Sequence, residues 1–178
     1  MIHPRPAWSN APIEETGLRD PGPMDEKVGI LVAEDDEGHF ALIQRNLQRA
    51  GVKGPILRFS DGQEILDFLF ARGEGRRRRN GETYVLLLDI RMPKVDGLDV
   101  LRRLRADAVL RRVPVIILTT TDDPVEVEHS YRAGCGLYIA KPVQYDRFVE
   151  TIRRIGMFLS IVRVPRLDGE PAGREPGE

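Results

Sequence analysis

Short apolar runs alternate along the chain with segments whose apolar residues recur every three or four positions, the spacing of one helix face. Val28-Gly29-Ile30-Leu31-Val32-Ala33 is an unbroken run that ends in acids, which predicts a short buried strand. Glu37 to Ala50 carries Phe40, Ile43 and Leu47 at helical spacing, with Gly51 placed to end the helix. Ile56 to Phe59 predicts a second strand. Asp61-Gly62-Gln63-Glu64 has a capping-box pattern, and Ile65, Leu66, Phe68 and Leu69 supply the helix behind it. A polar loop from Gly73 to Glu82 follows. Tyr84 to Asp89 predicts a third strand, apolar on both faces, and Gly97 to Ala106 a helix. Val115 to Thr119 is the fourth strand. Asp123-Pro124 opens the next helix, with Asp as cap, Pro in the first turn and Glu126 completing a box. Leu137 to Ala140 is the fifth strand, and Gln144 to about Val164 the last helix.

Five strand-then-helix units predict an α/β fold, a doubly wound parallel sheet with helices on both faces. In such sheets the functional site lies beyond the carboxyl ends of the strands. Those ends carry Glu34-Asp35-Asp36, Asp89, Thr119 and Lys141-Pro142. Carboxylates gathered at one edge repel unless a hard cation neutralises them, and an all-oxygen set suits Mg²⁺. A lysine and a hydroxyl beside them suit phosphoryl oxygens. Asp36, just before a helix, is read as its cap.

Composition narrows the rest. Residues 1–26 hold five prolines and few large apolar residues besides Trp8, so they are expected to be a disordered arm. Residues 27–164 form the domain, and 165–178, with three prolines and three glycines, a flexible tail. The 27 basic and 28 acidic residues give a net charge of −1, which provides no overall attraction to nucleic acid or anionic membrane. The run Arg76-Arg77-Arg78-Arg79 has no aromatic neighbours and is read as a solvated loop. One cysteine, Cys135, permits no intramolecular disulfide and is expected to pack as a small apolar residue. His3, His39 and His129 lack ligand spacing and receive no role. No apolar stretch approaches the ~20 residues of a membrane span, and no signal peptide is visible, so the expected location is the cytoplasm.

The pieces Glu34-Asp35-Asp36, Leu87-Leu88-Asp89-Ile90-Arg91-Met92-Pro93 with Asp96-Gly97, Leu118-Thr119-Thr120 and Tyr138-Ile139-Ala140-Lys141-Pro142 resemble the receiver domain of two-component response regulators. The resemblance covers about residues 28–160, and Thr119 and Lys141 follow Asp89 by 30 and 52 residues, as in that family. It implies a flavodoxin-like sheet of order 2-1-3-4-5. It implies that Asp89 accepts a phosphoryl group, Mg²⁺-dependently, from a partner sensor histidine kinase. Glu34, Asp35, Asp89 and the backbone carbonyl of Arg91 would hold the metal. Lys141, followed by a proline that is often cis in the family, would pair with phosphoryl oxygens. Thr119 would hydrogen-bond the phosphoryl group, and Tyr138 would be the aromatic switch that follows it. Arg91, with Thr121 as counterpart, is expected to shield or orient the attacking water. Such a protein is a signalling module rather than an enzyme. A haloacid-dehalogenase-type hydrolase would want a second Asp two residues after Asp89, where this chain has Arg91.

Only 14 residues follow Val164, which leaves no room for a DNA-binding output domain, so signalling by protein contact is expected. Phe148, Ile152, Ile155, Leu159 and Val162 recur at spacings of 4, 3, 4 and 3, the pattern of a coiled-coil seam, and predict a homodimer through the last helix. That helix and the stretch from Leu118 to Pro124 are similar to the stand-alone regulators of bacterial phytochromes, which implies a phytochrome-type photoreceptor kinase as partner. A phosphorelay intermediate, a phosphate sink and a degenerate, unphosphorylated receiver stay open.

Overall fold

A computed structural model of the chain describes residues 28–169. The arm expected over residues 1–26, Trp8 included, and the tail beyond Gly169 lie outside the described residues. The elements run β1 (Gly29–Ala33), α1 (Glu37–Arg49), β2 (Ile56–Phe59), α2 (Gly62–Leu69), β3 (Tyr84–Leu88), α3 (Gly97–Ala106), a 3₁₀ turn (Leu110–Arg112), β4 (Val115–Thr119), α4 (Pro124–Arg132), β5 (Leu137–Ala140) and α5 (Tyr145–Ile161). The sheet has the order β2-β1-β3-β4-β5, every pair parallel, as expected.

Side chains alternate across the strands and divide the core into two layers. Leu31, Leu86, Leu88, Val115 and Ile117 face α2 and α3, where Ile65, Leu69, Leu101 and Leu104 meet them. Ile30, Val32, Val85, Leu87, Ile116 and Leu118 face α1 and α5. Burial on both faces is why β1, β3 and β4 read as unbroken apolar runs. The helices α1 and α5 approach closely at Gly156, where a β-carbon would come within 2.5 Å of the Ala50 methyl. No helix among the described residues is long and apolar enough to cross a membrane. Cys135 is free and buried, as expected.

The structure corrects five expectations. Phe148, Ile152, Ile155 and Leu159 are buried against the chain's own sheet, and Val162 packs partly on the same layer. The 4-3-4-3 stripe is therefore core and not a free dimer seam. α5 ends at Ile161, three residues short of Val164, and its outward apolar residues are Met157, Phe158 and Ile161. Glu126 does not complete the α4 capping box. Its side chain turns instead to Arg91, with Nη2 to Oε2 at 2.6 Å, and Asp123 caps alone through the Val125 amide.

Arg78, read as solvated, is 8% exposed, with Nε donating to the Leu69 carbonyl and Nη2 to the Gly169 carbonyl. The tail, read as flexible from Pro165, is packed through Gly169. Leu167 is 1% exposed in the α2–α3 layer. Its amide donates to the Glu82 carbonyl, its carbonyl accepts from Gly81, and the Gly169 amide donates to Asn80 Oδ1. Residues 165–169 thus form a strap under the amino end of β3.

Candidate functional site

The site is built where β1, β3, β4 and β5 end. Parallel pairing brings these ends level: the Asp89 amide donates to the Ala33 carbonyl at 3.0 Å, and the Lys141 amide to the Thr119 carbonyl at 2.6 Å. Each chain then turns off the sheet. After β1 the Asp36 carboxylate takes the His39 amide at 2.7 Å and starts α1, the capping role read from sequence. After β3 Asp96 caps α3, and Gly97 lies so close to the Asp89 carbonyl that any β-carbon would collide with it. Glycine is required there for the helix to start against the acidic loop.

Asp89, Glu34 and Lys141 are 7%, 2% and 6% exposed. Lys141 Nζ donates to Glu34 Oε2 at 2.6 Å and to Asp89 Oδ2 at 2.5 Å. Carboxylate oxygens of Glu34, Asp35 and Asp89 all lie within 4.8 Å of one another, with Asp35 on the solvent side. Burial pushes the Glu34 carboxyl up. Lys141 opposes that rise, and the nearby Asp89 charge adds to it. Three carboxylates against one ammonium leave a formal charge of −2 in this pocket, which fits a hard divalent cation bound by oxygens.

Thr119 is fully buried, and its Oγ1 has no hydrogen-bond partner among the described residues. A buried hydroxyl without a partner costs free energy unless something fills its hydrogen-bonding capacity. Tyr138 is half-buried on β5, paired in register with Ile117, and its hydroxyl donates to the Thr121 carbonyl at 3.0 Å. Burial, reinforced by the charges of Glu126 and Asp122, pushes that hydroxyl up to about 12. It spans the β4–α4 loop. The Arg91 side chain leaves the pocket for Glu126 on α4, while its amide lies 3.4 Å from Asp89 Oδ1. The Lys141–Pro142 bond is trans, for no cis peptide occurs among the described residues.

Sequence reasoning missed two neighbours of the acids. His39, given no role, places Nδ1 3.3 Å from Glu34 Oε1; it lies in the first turn of α1, a helix already expected to start there. Arg58 donates to the main-chain carbonyls of Glu34 and Asp35. Its signal was a single charge inside the apolar strand Ile56-Leu57-Arg58-Phe59.

Known proteins resemble this chain in sequence and fold. The profile described as the response regulator receiver domain matches residues 30–153. The probable methanogenesis regulatory protein FilR2 of Methanothrix harundinacea is 35% identical over 127 residues, which are 71% of this chain and 79% of that protein. A response regulator receiver domain from Rhodospirillum rubrum, solved as a crystal structure, is 42% identical, with a TM-score of 0.75 over 80% of this chain and 100% of that one. The phosphorylated cyanobacterial phytochrome response regulator RcpA is 29% identical, with a TM-score of 0.69 over 78% of this chain and 98% of that one. With its sheet order, its strand-end acids and the matched span from Ile30 to Arg153, the chain belongs to the response regulator receiver domain family.

Proposed function

We propose that the chain is a phosphoryl-accepting signalling protein, phosphorylated on Asp89 by a sensor histidine kinase, and not an enzyme acting on a separate substrate. The observation that carries this is the buried Asp89 carboxylate, set between Lys141 and other acids, with the unpartnered Thr119 hydroxyl at the end of the neighbouring strand. A carboxylate oxygen of Asp89 attacks phosphorus, the phosphorus–nitrogen bond of the kinase's phosphohistidine breaks, and the imidazole leaves with that electron pair. Lys141 offers a cation to the transferred phosphoryl oxygens, and Thr119 a hydroxyl donor. Glu34, Asp35, Asp89 and the Arg91 backbone carbonyl would hold Mg²⁺. When bound, this ion offsets the charge of the acids and of the incoming phosphoryl group.

A dianionic group at Asp89 gives the Thr119 hydroxyl a charge-assisted partner. Tyr138, tied to Thr121 on the same loop, is the side chain that would follow such a movement toward α4. The side of the molecule formed by α4 and β5 exposes Val125, Tyr131 and Leu137, and the segment after β5 exposes Val143 and Tyr145, apolar surface suited to protein contact rather than to nucleic acid. The likeness to RcpA favours a phytochrome-type kinase as the donor, and the cytoplasm is the location proposed with it. Met157, Phe158 and Ile161 on α5 supply the apolar surface for a homodimer, replacing the seam expected from sequence. The test is transfer from a phosphohistidine donor in Mg²⁺ and in chelator, followed by intact mass. One phosphoryl group gained in Mg²⁺ alone is expected. No gain in a folded protein would leave the degenerate-receiver reading.

A further inference from the structure

The three acids after β1 sit on a loop whose charges favour spreading it apart. Its main chain is nevertheless fastened at several points. The Glu34 amide donates to the Phe59 carbonyl at 2.9 Å, which extends the β1–β2 pairing one residue past Ala33. Asp36 closes the far side by capping α1. Between these points stands Arg58, opposite Val32 in the sheet register. Its Nε donates to the Glu34 carbonyl at 3.3 Å and its Nη2 to the Asp35 carbonyl at 2.7 Å. The guanidinium also lies over the Phe40 ring, 5.6 Å from its centroid, so α1 supports the group from below.

One planar guanidinium across two successive carbonyls fixes the rotation of the peptide between them, and with it the directions in which the two carboxylates leave the chain. We propose that Arg58 is a positioning residue for divalent-cation binding: it touches neither cation nor substrate, and acts by holding the Glu34–Asp35 main chain so that both carboxylates and Asp89 face one point. This rests on the reading that these three acids hold a cation. The effect has a sign that plain electrostatics opposes. A positive charge beside an acidic pocket repels a metal ion, so charge alone makes Arg58 a hindrance. Positioning makes it a help.

The experiment measures Mn²⁺ affinity of the full chain by titration calorimetry, for the parent, Arg58→Ala, Arg58→Lys and Asp35→Asn, with a urea unfolding curve for each. Arg58→Ala is expected to bind Mn²⁺ roughly 10-fold more weakly, the usual size for losing a group that orients a metal ligand. Arg58→Lys keeps the charge but not the two-pronged donor, and is expected to fall between parent and Ala. Equal or tighter binding by Arg58→Ala overturns the proposal. Should that variant fail to fold, parent-like affinity in Arg58→Lys overturns it instead. Absence of Mn²⁺ binding in the parent, or parent-like binding by Asp35→Asn, would overturn the metal-site reading itself and the proposal with it.

Discussion

Replacing Leu167 by alanine tests whether the strap after α5 is part of the fold. Removing this 1%-exposed side chain from water is worth about 1.5–3 kcal/mol. The four hydrogen bonds that tie Leu167 and Gly169 to residues 78–82 add about 0.5–1.5 kcal/mol each. Against these stands the ordering of residues 165–169, about 1–2 kcal/mol for each residue. The terms nearly cancel, so the strap is held by a margin that the leucine side chain decides. Buried Leu→Ala changes cost about 2–5 kcal/mol, the high values arising where a cavity must persist. Here the strap can lift away, which caps the loss at its net docking free energy, so the expected loss is at most about 2 kcal/mol, or up to roughly 4–8 °C in Tm for a chain of this size. Urea unfolding reads the first number. Amide exchange reads the mechanism, because Leu167, Gly169 and Gly81 should lose protection together in the variant. Glu82 lies at the end of β3 remote from Asp89, so cation affinity should not change. An unchanged unfolding midpoint, with Leu167 and Gly169 amides unprotected already in the parent, would refute the reasoning.

Three other outcomes follow from the site and its surroundings. Thr119→Val removes a buried hydroxyl that has no partner among the described residues, so in metal-free, unphosphorylated protein it should raise stability by about 1 kcal/mol; a comparable loss in urea unfolding would mean that the hydroxyl is bonded. Lys141→Met leaves Glu34 and Asp89 facing each other without their cation. It should cost about 3 kcal/mol in chelator, the low end for a broken buried pair because Glu34 can take up a proton, and Mg²⁺ should restore part of that loss. At Asp61 burial alone would raise the carboxyl, but the Lys94 ammonium at 2.6 Å and the Glu64 amide outweigh it and hold it below the usual carboxylate range. An acid depressed by folding stabilises fully above its unfolded pKa, about 3.9, and that part is lost as pH falls through the lower folded value. Asp61→Asn should therefore flatten the stability curve below about pH 4; the same acid slope in both proteins would contradict this.

The strands and their ends were legible because a buried parallel strand leaves few choices of residue and its carboxyl end fixes where the next side chain appears. Thus Glu34, Asp89 and Lys141 come into contact, with Thr119 at the end of the strand beside β5. Glu126 was misread because a capping box is a local pattern, whereas its partner Arg91 is 35 residues away. The α5 stripe misled for a different reason. A helix lying on a sheet and a helix lying on another helix both bury positions spaced by three and four, and the spacing does not say which surface covers them. Arg78 was hidden in a run of four arginines, and its bonds to the carbonyls of Leu69 and Gly169, 9 and 91 residues off, single it out. Leu167 was masked by prolines and glycines on both sides, although a lone leucine in such a tail was a signal of docking.

The proposal that Asp89 carries the phosphoryl group meets its most direct test in chemical trapping at residue level. Borohydride reduces an aspartyl phosphate to homoserine, which peptide mass mapping then locates after incubation with a small phosphodonor and Mg²⁺. The account predicts conversion at residue 89 alone, abolished in chelator and in Asp89→Asn. Reduction at Asp35 to homoserine or at Glu34 to hydroxynorvaline, or none in a protein that still binds Mg²⁺, would contradict it.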